Sequence, residues 1–65
     1  MKLNFKVGDT PARRFHVCRK WRAPEVGEMF EIVDKTDHGS KPFRVRLTEI
    51  KQHTGGGDIY FVEQM

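Results

Sequence analysis

The chain has a single cysteine, Cys18, among its 65 residues. No disulfide can therefore close within it, and one thiol beside three methionines fits a reducing compartment, the cytoplasm. No apolar run approaches the roughly 20 residues of a membrane helix, and the N-terminus has no signal-peptide core. A membrane is not an expected partner. Length is also scarce. A chain this short buries only roughly 60% of its unfolded surface. One small β domain, residues 1–65, is expected, with no second layer to wall off an active-site cavity. Met1 at the start fits a complete small gene product.

Catalytic and metal-binding patterns are missing too. His16, Cys18, His38 and His53 are the only soft ligands, and only His16 and Cys18 stand close together. Structural zinc sites use paired ligands at short spacing, so no metal and no other cofactor is expected. Cys18 with His16 is not a triad, and Glu49, Asp58 and Glu63 read as ordinary strand-end acids. Gly55-Gly56-Gly57 after His53-Thr54 lacks the spacing and the lysine of a phosphate-binding loop. It reads as a hairpin loop. The sequence points to no enzyme and no small-molecule substrate.

What the chain does have is one local pattern repeated five times: an aromatic residue, a spacer, then a β-branched residue. The copies are Phe5-Lys6-Val7, Phe15-His16-Val17, Phe30-Glu31-Ile32, Phe43-Arg44-Val45 and Tyr60-Phe61-Val62. Alternate residues of a strand share a face, and these residue types pack well on a pleated surface. The repeat predicts five strands, over Lys2–Val7, Arg13–Lys20, Glu28–Asp34, Pro42–Ile50 and Asp58–Glu63. Gly8-Asp9, Ala23 to Gly27, Lys35 to Lys41 and Gln52 to Gly57 supply the breaks. Phe15, Val17, Phe30, Ile32, Phe43, Val45 and Leu47 are the expected core, with Tyr60.

Thr10-Pro11 also offers a helix start. A helix from Pro11 to Arg22 would leave Phe15 off its apolar stripe, so strand is preferred there. Five strands in this length predict an all-β fold, a small five-stranded antiparallel barrel or curved sheet. In size and strand count it resembles an SH3-like barrel, an analogy of architecture that carries no function.

Charge is unevenly spread. Residues 1–24 hold seven Lys and Arg against Asp9 alone, a net of +6, while residues 25–65 net −3. If Phe15 and Val17 point inward, Arg14, His16, Cys18 and Lys20 point outward; on the fourth strand Arg44 and Arg46 do the same. Should those strands be neighbours, the basic groups share one wall with Lys6. Guanidinium forks match phosphate oxygens, and Trp21 between Lys20 and Arg22 is a candidate base-stacking platform. The competing expectation places Trp21 in the core, closing the barrel end.

Two classes of function follow. The first is a non-catalytic, low-specificity nucleic-acid-binding module, for DNA or RNA, with Arg13, Arg14, His16, Lys20, Trp21, Arg22, Arg44 and Arg46 as contacts. The second is a small protein-interaction module, such as a phage- or mobile-element-type inhibitor or adaptor that offers an edge strand or its basic face to an acidic protein surface.

Overall fold

The computed structural model describes residues 1–53 and 55–65. Five strands form in chain order: β1 (Lys2–Val7), β2 (Arg13–Val17), β3 (Met29–Val33), β4 (Phe43–Gln52) and β5 (Asp58–Gln64). Each contains one copy of the aromatic–spacer–branched pattern. No helix occurs among the described residues, and residues 13–17 are extended. The second strand ends at Val17, three residues earlier than its sequence predicts, because Arg19 turns the chain at a φ of 57°.

Each strand pairs with the next in antiparallel fashion, and β1 closes the ring against β5 in parallel. That parallel seam is forced by parity. In an up-and-down ring with an odd number of strands, the first and last must run the same way. Among the described residues every strand is paired on both sides, although the β2–β3 seam is short, His16 with Val33 and Val17 with Ile32.

Tight corners join the strands. Between β2 and β3 the Glu28 N–H donates to the Glu25 carbonyl at 3.0 Å, and Gly27 sits at φ 92°. A positive φ at the third turn position is what glycine supplies without a steric penalty.

The core comprises Phe5, Phe15, Val17, Phe30, Ile32, Val45, Leu47, Tyr60 and Val62, with Leu3, Val7 and Phe43 packed around it. Phe5 is the hub, with ring centroids 6.2 Å from Phe15, 5.8 Å from Phe30 and 5.6 Å from Tyr60. Phe43 is only half-buried and meets Phe15 edge-on.

Two irregularities shape the surface. A bulge between Leu47 and Glu49 leaves Thr48 unpaired, and its hydroxyl donates to the Phe61 carbonyl at 3.0 Å. One extra residue reverses the alternation. Beyond Thr48 the odd-numbered residues Glu49 and Lys51 lie opposite the outward Phe61 and Ile59. The second irregularity is polar. Arg13 and Asp34 continue the inward phase of Phe15 and Ile32, and they form an ion pair beside the core. Arg13 also lies over the Phe15 ring, 5.6 Å from its centroid.

Candidate nucleic-acid interface

The loop from Cys18 to Glu28 organises the site. The Cys18 N–H makes the last bond to β3, reaching the Glu31 carbonyl at 2.9 Å. Arg19 then adopts its left-handed conformation, uncommon for a side chain with a Cβ and a frequent mark of functional loops. Both ends of the loop are held by one carboxylate. Glu28 forms an ion pair with Lys20 and accepts the Glu25 N–H at 3.0 Å. These contacts, Lys20 first, hold the Glu28 carboxyl below its ordinary range. Pro24 is buried beneath the loop. With its ends tied, the loop lifts Trp21 and Arg22 into solvent.

Trp21 is 98% exposed. The expectation that it closes the barrel end is therefore wrong. Phe5, Phe15, Phe30 and Tyr60 already fill the interior, and Trp21 lies past the turn that ends β2. Its ring borders a groove of about 390 Å³ lined by Met1, His16, Val17, Arg19 and Lys20. On the loop's other side a groove of about 340 Å³ is shared by Cys18, Arg19, Lys20, Glu28, Glu31 and Arg44. His16 and Cys18 thus face different grooves.

The outer face of β1 and β2 extends the positive surface. Lys2 lies opposite His16 and Asn4 opposite Arg14. The His16 imidazole is held below its usual pKa, first by desolvation and then by Lys35, the amino terminus and Lys2. Desolvation leads this shift, and the neighbouring positive charges add to it.

The basic residues expected to share a wall are divided. β3 stands between β2 and β4, so Arg14 and His16 do not adjoin Arg44 and Arg46. Arg44 lies opposite Glu31, and Arg46 lies opposite Met29 and forms an ion pair with Glu63. Arg13 is paired with Asp34 at the barrel mouth, and Lys20 with Glu28. Four expected contacts, Arg14, His16, Trp21 and Arg22, belong to one exposed side or to the loop above it. Lys2, Arg19 and Lys35 join them. Sequence reading passed over these three because they lie at a strand start or in turns, where alternation assigns no face.

The glycine loop between β4 and β5 holds Gly55, Gly56 and Gly57 at φ values of 97°, 119° and 86°. Thr54, read with this loop, lies outside the described residues. Among the described residues no three His, Cys, Asp or Glu side chains converge on a point that could hold a metal ion. No helix of the described chain is long and apolar enough to cross a membrane. Comparison with protein-family models, with curated proteins and with solved structures finds no match to this chain.

Proposed function

We propose that this protein is a non-catalytic, low-specificity nucleic-acid-binding barrel that prefers single strands and works in the cytoplasm. The observation that carries the reading is Trp21. A fully solvated indole is held on a tied-down loop, between Lys20 and Arg22 in sequence and beside Arg19 in space. Exposing so large an apolar side chain forgoes about 1.5–3 kcal/mol of burial, and stacking on a base recovers an amount of similar size, about 1–3 kcal/mol. Lys2, Arg14, Arg19, Arg22 and Lys35 supply phosphate contacts around it. No base-reading motif is visible in the sequence, which fits weak sequence preference. Lone Cys18 is the basis for the cytoplasmic assignment.

The test is a fluorescence-anisotropy titration of labelled single-stranded and duplex oligonucleotides at two salt concentrations. The parent binds single strands more tightly than duplex, and Arg14→Ala with Arg22→Ala weakens both. An absence of binding at low salt to any DNA or RNA refutes the reading. The basic patch is then a docking surface for an acidic protein.

A further inference from the structure

We propose that the outer face of β1, β5 and the end of β4 carries a second base-stacking site for single-stranded nucleic acid, with Phe61 as its platform and Lys6 and Lys51 as its phosphate contacts. This rests on the nucleic-acid reading above and concerns different residues.

Phe61 is the spacer of the fifth repeat. Its neighbours Tyr60 and Val62 are buried at 7% and 3% exposure, so the ring between them faces outward, half-buried on the barrel surface. Two ammonium groups flank the ring: Lys6 Nζ at 5.9 Å and Lys51 Nζ at 5.3 Å from its centroid. Lys6 arrives from the parallel seam, where it lies directly opposite Phe61. Lys51 faces this way only because the bulge at Thr48 reverses the alternation of β4. Without that extra residue, odd-numbered positions of β4 would continue the inward phase of Val45 and Leu47. The bulge is further fixed to this strand by the Thr48 hydroxyl on the Phe61 carbonyl. Bulges commonly re-aim a side chain at a functional site.

An aromatic face flanked by two cations suits a nucleotide; in the free protein the Lys6 ammonium donates to the Gly8 carbonyl at 2.9 Å. A base stacks on the ring, and the lysine stems swing outward so that their ammonium groups meet the phosphates on either side. Glu49 lies opposite Phe61, and Glu63 two residues along β5 is neutralised by its ion pair with Arg46, so the two lysines leave the strip net positive.

The strip is continuous with the Trp21 side. Arg14 lies opposite Asn4, Asn4 opposite Ile59, and Ile59 opposite Lys51. Three strand spacings of about 4.8 Å carry that row roughly 14 Å around the barrel. A single strand leaving Trp21 meets Lys2 and Arg14, crosses β1 at Asn4 and reaches Phe61, passing Asp58 in the groove beside Arg14 and Glu49 opposite the ring. Charge selects an anionic occupant, and the ring between the lysines favours a single strand, because a duplex has no unstacked base to lay on it.

The test uses the full chain and oligothymidylates of increasing length. The parent gains affinity with length until both rings are covered, then plateaus. Phe61→Leu, which keeps apolar volume and loses the ring, should melt like the parent, bind long oligomers roughly 5- to 100-fold more weakly, and plateau at a shorter length. Lys6→Gln with Lys51→Gln should flatten the salt dependence. In the parent, an oligonucleotide carrying 5-iodouracil should crosslink to the peptide containing Phe61, a readout that needs no variant. If Phe61→Leu matches the parent in affinity and plateau, or if no crosslink maps to β5 while Trp21→Ala still weakens binding, the second site is refuted and the Trp21 site stands. If no oligonucleotide binds at all, both fail together.

Discussion

Two large aromatic residues of this barrel have opposite fates, and truncating each should have opposite consequences. Phe5 is fully buried and touches three other rings, so Phe5→Ala removes the centre of the aromatic cluster. Phe-to-Ala changes in cores cost about 3–5 kcal/mol. At about 0.05–0.15 kcal/mol per residue, a 65-residue domain is stable by about 3–10 kcal/mol. One substitution therefore removes much or all of its stability. In melting temperature, about 4 kcal/mol amounts to roughly 16–32 °C for a domain this small. Trp21 is 98% exposed, and exposed sites of this kind change stability by only about 0.5 kcal/mol either way. Trp21→Ala should melt within about 4 °C of the parent. Urea titration and thermal melts followed by far-UV circular dichroism measure both. A Phe5→Ala variant that melts like the parent would show that the cluster does not carry the fold. A Trp21→Ala variant destabilised by several kcal/mol would show that the indole packs rather than projects.

Acid stability and pH-dependent binding provide two further checks. The Asp34 carboxyl is held below its ordinary range by hydrogen bonds from the Thr36 hydroxyl and N–H and by Arg13, against the opposing effect of burial. A depressed carboxyl contributes stability that is complete above its unfolded pKa and lost as pH falls through the folded one. Melts from pH 7 down to pH 2 should fall across that acidic window, and Asp34→Asn should start lower and fall less. An unchanged pH profile in that variant would assign the acid dependence elsewhere, to Glu28 first. His16, depressed by desolvation and by Lys35, the amino terminus and Lys2, is neutral at pH 7 in the free protein. A bound phosphate favours the imidazolium, so oligonucleotide affinity should rise as pH is lowered from about 7 towards 5.5, and His16→Gln should lose that rise. Equal pH dependence in parent and His16→Gln would remove His16 from the site.

The fold was legible because a period of two holds through the repeated pattern in every strand, and in β4 as far as the bulge at Thr48. Phe15 with Val17, Phe30 with Ile32 and Tyr60 with Val62 all point inward as their spacing requires. Turn chemistry was equally readable, as at Gly27. What the period could not supply is order around the ring. Arg14 and Arg46 face outward in phase, yet β3 separates them, because strand adjacency depends on closure rather than on local pattern. Phase also fails where it is interrupted. The bulge at Thr48 reverses β4, which hid Lys51 from any alternation argument. Arg13 kept the inward phase and still appeared free, because its partner Asp34 lies 21 residues away and the sequence does not show the pairing. Trp21 was ambiguous for a related reason: it follows the left-handed turn at Arg19, past which strand alternation no longer applies.

The central claim, that Trp21 is a base-stacking platform in a basic patch, has a direct probe in the protein itself. Trp21 is the chain's single tryptophan, so its emission reports on this site alone. Titrating short single-stranded oligonucleotides at low salt should quench that emission. A strand held by four of the patch's cations should give a log–log salt slope of about −2.8. Duplex of the same length should quench less. Full emission at low salt in the presence of excess single strands, with the protein folded, would contradict the account.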